Sequence, residues 1–224
     1  MLAIPAMTNL AHIHALLPNS QLHNIGIAEA RDRQISQIGT DSRHPTVGEL
    51  FVALKGDRFD AHQFLNTVSE QGASAALISE KTSCPTSLPA VYVEDTRKGL
   101  GELAAAWRAQ FALSLAVVTG SNGKTTTKEV TRTILEGLGN TLATPGNWNN
   151  HIGVPLTLLS LRPEHEFAVI EMGTNHPGEM GVLCDLIHTD IGLITNIGKA
   201  HLEGFGGIEG VKKGKGELYQ NLKL

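Results

Sequence analysis

The amino-acid sequence predicts an α/β protein in two parts, a small α/β domain over residues 1–94 and a P-loop-type, Rossmann-like domain over residues 95–224. Three observations carry this prediction. Residues 115–127 read as an apolar strand, a glycine turn and the start of a helix. Three apolar runs end near residues 119, 171 and 195, each followed by polar residues, as strands of one parallel sheet do when its carboxyl edge is the active edge. Helix and strand patterns also alternate before residue 95, in a chain long enough for more than one domain.

The central stretch comes first. Leu115, Ala116, Val117 and Val118 form the apolar strand, which stops at Thr119; Gly120 and Gly123 enclose the turn. Lys124 and three threonines follow, and Val130, Ile134, Leu135 and Leu138 then repeat at helical spacing. This order holds a polyphosphate. Unpaired N–H groups and the positive helix end face the anion, the lysine reaches the terminal phosphates, and a hydroxyl is available to magnesium. The common G-x-x-x-x-G-K-[ST] pattern asks for glycine at position 118, where Val118 stands.

Composition narrows the function. Eighteen basic against 22 acidic side chains leave a formal net charge of -4, with no basic cluster before the last dozen residues. Nothing asks for nucleic acid, and two tyrosines and two tryptophans leave little aromatic surface for base stacking. No apolar stretch approaches a membrane span, and the N-terminus lacks the pattern of a signal peptide. Cys84 and Cys184 lie far apart without metal-ligand spacing, which reads as a reduced cytoplasmic enzyme.

In order, Leu10, Ile13, Leu16 and Leu17 predict a first helix; His12, His14 and His23 around it form no regular frame. Asp41, Ser42 and Arg43 precede a Pro/Gly turn and the apolar strand near residues 50–54, and Lys55, Arg58 and His62 follow it. Two loops flanking one short strand thus bring together groups suited to an anionic ligand, although each alone reads equally well as a solvated turn. A helix at Phe64, Leu65 and Val68, a strand at 75–78, a loop at 81–89 and a strand at 91–93 come next. Asp95 or Thr96 caps a helix through Leu100, Leu103, Ala104 and Trp107. Beyond the central helix, residues 141–143 are a short strand. The Asn-rich stretch 145–155 is either a capped turn before a helix near Pro155 or a loop running past the phosphate site. The strand 167–170 delivers Glu171 to its carboxyl end, where such sheets hold or orient magnesium. The strand 191–194 leads through a glycine-rich loop to a helix over 208–218.

Together these blocks are recognisable. Thr119-Gly-Ser-Asn-Gly-Lys-Thr-Thr resembles the phosphate loop of the Mur ligase family, ATP-dependent amide-bond-forming enzymes of peptidoglycan precursor synthesis. Residues 40–43 and 50–56 resemble its UDP-binding first domain. Residues 146–155, 168–179 and 200–206 resemble the branch that adds D-alanyl-D-alanine to UDP-N-acetylmuramoyl-tripeptide. The resemblance implies that Gly120, Ser121, Asn122, Gly123, Lys124, Thr125 and Thr126 cradle ATP, with Asn150 beside them. It places Mg2+ at Thr125 and Glu171, a second metal position at His201, and a carbamylated lysine at Lys215; Lys212 and Lys213 read as solvated. Ser42, Arg43, Lys55 and His62 would contact the UDP-sugar, and Asn175, His176 and His201 the reacting carboxylate. Lys124, Glu171, His201 and Lys215 would carry the catalysis, in which ATP converts the carboxylate to an acyl phosphate that the dipeptide amine attacks. The family also implies a cytoplasmic enzyme that is monomeric at full length.

Family members are about twice this length, in line with further domains of ordinary size. The resemblance therefore implies a truncated central domain, without its remaining strands and without the dipeptide-binding domain, and a 224-residue chain that binds substrates without full turnover. Other readings stay open: the sibling ligase adding the third peptide residue, a non-catalytic nucleotide-binding module, and a purely structural α/β protein.

Overall fold

The structure is a computed structural model that describes residues 7–56, 59–199 and 202–222. The chain forms two compact units, Met1–Ala106 and Trp107–Leu224. The expected helix near residue 95 runs across the division.

In the first unit, β1 (Thr8–Asn9), α1 (Leu10–Ala15), β2 (Gln21–His23), α2 (Ile27–Asp32) and β3 (Gln34–Ile35) come first. Leu10, Ile13 and Leu17 of the predicted stripe are buried. Then β4 (Ile38–Gly39), β5 (Leu50–Val52), a 3-10 turn at Ala61–Phe64, α3 (Leu65–Glu70), β6 (Ala75–Ile78) and β7 (Ala90–Tyr92) lead into α4 (Thr96–Arg108). The sheet order is β2-β7-β6-β5-β4, parallel except for β2 against β7. Every residue of β5 and β6 is buried, as a parallel sheet covered on both faces requires. The carboxyl ends of β4, β5 and β6 consequently carry the segments at 40–43, 53–56 and 79–80 to one edge. Asp95 caps α4, its Oδ1 accepting from the N–H groups of Arg97 at 2.8 Å and Lys98 at 3.0 Å.

The second unit holds β8 (Ser114–Thr119), α5 (Lys124–Glu136), β9 (Thr141–Ala143), α6 (Gly153–Leu159), β10 (Phe167–Glu171), α7 (Glu179–Ile187), β11 (Ile191–Ile194), α8 (Leu202–Phe205) and α9 (Ile208–Gln220). The three anticipated strands do share one parallel sheet, in the order β11-β8-β10-β9. Glu171 stands beside Val118 and Ile194 beside Thr119, so all three strands end at one level.

Helix α5 exists where the spacing puts it, but its apolar stripe faces outward. Val130, Ile134 and Leu138 are exposed, whereas Lys128 is fully buried. The helix lies on the sheet through the side of Lys124, Thr127, Lys128, Thr131 and Leu135, none of them exposed. Edge strand β11 likewise leaves Ile191 and Leu193 exposed. Cys84 and Cys184 are free and buried, and burial pushes their thiols up to about 11 and about 12. No described helix is long and apolar enough to cross a membrane.

Candidate active site

The phosphate loop is built by its two glycines. Gly120 has φ +148, and a Cβ there would lie 1.9 Å from Thr195 Oγ1; Gly123 has φ +76 and starts α5 from the left-handed region. Between them the loop is braced by the segment after β11. Ser121 N–H donates to Asn196 O at 3.1 Å, and Asn122 N–H to Asn196 Oδ1 at 3.1 Å. Thr195 Oγ1 and Asn196 Nδ2 donate to Asn122 O at 2.6 and 3.1 Å. The Ser121 hydroxyl is itself engaged, accepting from Gly198 N–H at 2.9 Å and lying 3.1 Å from Gly198 O. Lys124 folds back onto the loop, its Nζ donating to Gly120 O at 2.9 Å. Thr126 is exposed on the first turn of α5.

Glu171 is buried at the end of β10 and held from both sides. Thr125 Oγ1 donates to Oε2 at 2.9 Å and Asn149 Nδ2 to Oε1 at 2.7 Å. Its own N–H donates to Thr144 Oγ1 at 2.9 Å. Asn149 O in turn accepts from Gly173 N–H at 2.8 Å. Asn150, expected beside the nucleotide, uses its Oδ1 to accept from the N–H groups of Ile152 at 3.0 Å and Gly153 at 2.9 Å. It caps the entry to α6, and Asn149 is the asparagine that reaches the site. Sequence reasoning missed Asn149, Thr144 and Lys128. An Asn pair does not show which member caps and which points inward, and a buried lysine looks like any other in a helix.

Lys215 of α9 is buried. Burial, reinforced by the charge of Lys124, pushes its ammonium down to about 8. Lys124 and Lys215 thus lie close enough beside the phosphate loop for one charge to act on the other. Lys212 and Lys213 are exposed, as expected. Asn175 and His176 sit at the entry to α7. Glu179 Oε2 accepts from their N–H groups at 2.6 and 3.2 Å, and His176 Nδ1 is 3.2 Å from Oε1. Partial burial alone would push Glu179 up, but these donors hold it below its ordinary value. Glu217 of α9 fastens the same turn, accepting from Gly178 N–H at 2.8 Å and Gly181 N–H at 3.1 Å. His201 lies outside the described residues, as does Arg58.

The residues fit a magnesium ion held between protein and phosphate. Among the described residues no three His, Cys, Asp or Glu side chains gather into a metal cage. One buried carboxylate and one hydroxyl beside a phosphate loop is the sparse donor set magnesium uses when phosphate oxygens and water complete its shell.

In the first unit, Lys55, Asp60, His62 and Glu80 form one cluster. Lys55 Nζ pairs with Asp60 Oδ2 at 3.3 Å and with Glu80. His62 is buried, and its Nε2 accepts from Ser79 N–H at 2.9 Å, so Nδ1 carries the proton and donates to Asp60 Oδ1 at 2.7 Å. Both ring nitrogens are therefore engaged, and His62 shapes the loop while Lys55 is the exposed cation. Glu80 and Asp60 together hold Lys55 above its ordinary value. Arg43 forms a separate exposed fork on Asp41, with Nε–Oδ1 and Nη2–Oδ2 both 2.8 Å, and holds that carboxyl well below the usual range. Ser42 lies half-buried between them in sequence.

Comparison with known proteins agrees with this geometry. The model of the Mur ligase middle domain matches residues 118–224, and that of the Mur ligase family catalytic domain matches residues 34–110. UDP-N-acetylmuramoyl-tripeptide–D-alanyl-D-alanine ligase of Escherichia coli (strain K12) is 48% identical over 205 residues, 91% of this chain and 45% of that protein. A crystal structure of MurF from Acinetobacter baumannii superposes with a TM-score of 0.89 at 40% identity, covering 96% of this chain and 47% of that one. MurF from Thermotoga maritima in complex with ADP gives 0.76 at 35% identity, covering 84% and 43%. The chain spans about half the length of the relatives it matches. With both units matched and the phosphate loop formed as the sequence anticipates, the chain belongs to the Mur ligase family.

Proposed function

We propose that this chain carries the UDP-sugar-binding and ATP-binding parts of a ligase that joins D-alanyl-D-alanine to UDP-N-acetylmuramoyl-tripeptide in peptidoglycan precursor synthesis. The observation that carries the reading is the clamped carboxylate: Glu171, between Thr125 and Asn149, at the mouth of the phosphate loop. Relatives named for this reaction support the substrates, and the ADP complex of one of them supports the nucleotide. ATP binds along residues 120–125, with Lys124 leaving Gly120 O for the terminal phosphates. Thr125 and Glu171 would hold magnesium, which when bound would supply neutralisation of phosphate charge, and the substrate carboxylate takes up the γ-phosphoryl group with release of ADP. The amine of D-alanyl-D-alanine then displaces phosphate from that acyl phosphate, forming the amide. Lys215, buried beside Lys124, would lose its ammonium proton and add CO2 at the neutral amine, releasing a second proton to solvent and leaving a carbamate anion. Asn175 and His176 face the reacting carboxylate, a role the family resemblance also gives to His201; Ser42, Arg43 and Lys55 bind the uridine diphosphate. The reading includes a monomer acting in the cytoplasm.

Glu171→Gln tests it, since the change removes charge and keeps volume. Titration with a non-hydrolysable ATP analogue should show about a tenfold or greater loss of affinity with magnesium present and little without it. Equal losses in both conditions would remove Glu171 from the metal site.

A further inference from the structure

Lys128 lies one turn beyond Lys124 on α5 and is fully buried. A buried ammonium is costly unless its N–H groups find acceptors. Here Nζ donates to Thr144 O at 2.7 Å and to Gly146 O at 3.1 Å, and Glu129 Oε1 lies 2.8 Å away. Three donors meet three acceptors. Two of these acceptors belong to the segment joining β9 to α6, which touches Glu171 twice. Thr144 Oγ1 accepts its N–H, and the Asn149 carboxamide donates to its Oε1.

We infer that Lys128 is a positioning residue for Glu171: by fixing the turn at 144–146 it sets the Asn149 carboxamide that, with Thr125, aims the carboxylate. The inference rests on the reading of Glu171 as the magnesium-orienting acid. Its physical basis is that one rigid helix holds three things at once. Lys124 reaches the phosphate loop, Thr125 binds one oxygen of Glu171, and Lys128 tethers the turn whose asparagine binds the other. Gly146 sits at φ +50 within that turn, a conformation that the two carbonyl contacts help to hold. An apolar side chain of equal length would fill the space without fixing the carbonyls. Groups behind a metal-binding side chain commonly change metal affinity by about 10–100-fold when removed.

The test is a double-mutant cycle of Lys128→Met and Asn149→Ala on the whole chain, titrated with a non-hydrolysable ATP analogue with and without magnesium. Lys128→Met should weaken binding about tenfold with magnesium and less than about twofold without it. In the Asn149→Ala background it should cost less than about twofold more, because the group it acts through is gone. Additive losses, losses independent of magnesium, or unchanged affinity overturn the inference. Where Lys128→Met does not fold, Thr144→Val examines the same turn by removing the acceptor of the Glu171 N–H; absence of a magnesium-dependent loss there overturns it equally. Unmodified chain that binds the analogue identically with and without magnesium defeats the Glu171 reading and the inference together. Magnesium dependence that Lys128→Met leaves intact defeats the inference alone.

Discussion

Glu49 precedes β5 with its carboxylate buried. Oε2 accepts from Thr46 N–H at 3.0 Å and Gln37 Nε2 at 3.4 Å, while Oε1 has no hydrogen-bond partner among the described residues. Burial pushes its pKa above the ordinary 4.5. A carboxyl raised in the folded state favours folding most below its unfolded pKa, and that contribution is lost as pH rises through the folded value. Glu49→Gln should therefore raise the unfolding midpoint at about pH 7–8, with the advantage fading below about pH 4, where the native carboxyl is already neutral. Thermal melts of both proteins across this range would refute the idea if their difference were constant. At this scale the phosphate-loop residues and Glu171 were legible because strand ends and glycine turns mark them locally. Asn149 and Lys128 were not, since their roles depend on carbonyls and carboxylates 16 to 22 residues away.

Helix α5 shows how much an element reveals of itself. Its period and its start at a left-handed glycine were readable, but its inward face was not, because packing follows the phosphate loop. Lys124 and Thr125 must meet the carboxyl edge of β8 and β10, and this rotation turns the side of Thr127, Lys128 and Thr131 onto the sheet. The apolar stripe then faces away, leaving Ile134 64% exposed. Ile134→Gln should consequently alter stability by no more than about 0.5 kcal/mol. Leu158→Ala in α6, where the side chain is wholly buried, should cost about 2–5 kcal/mol. Equilibrium denaturant unfolding measures both, and a large loss for Ile134→Gln would show that the stripe is covered in solution. The short element α6 was legible in a different way: the capping reading of the Asn-rich stretch holds for Asn150, and the reading of that stretch as a loop at the site holds for Asn149.

Across the whole molecule, each compact unit places polar loops at the carboxyl edge of parallel strands, which the spacing of apolar runs made readable in the second unit and not in the first. The chain should accordingly hold two separate ligands. In hydrogen exchange followed by mass spectrometry, uridine diphosphate should protect residues 39–56 and 79–81. A magnesium-bound ATP analogue should protect residues 119–126, 144–150 and 171–173. Protection of the phosphate loop by uridine diphosphate alone would contradict two separate sites. The bracing of the phosphate loop by Thr195, Asn196 and Gly198 has a consequence during synthesis. Its partners lie 73 to 77 residues downstream. At about 5–20 residues per second on the ribosome, the loop waits several seconds for the segment that shapes it. A nascent chain therefore lacks these braces until β11 and the turn after it have emerged, so the strand, turn and helix that name the site in sequence are made well before the contacts that hold their loop.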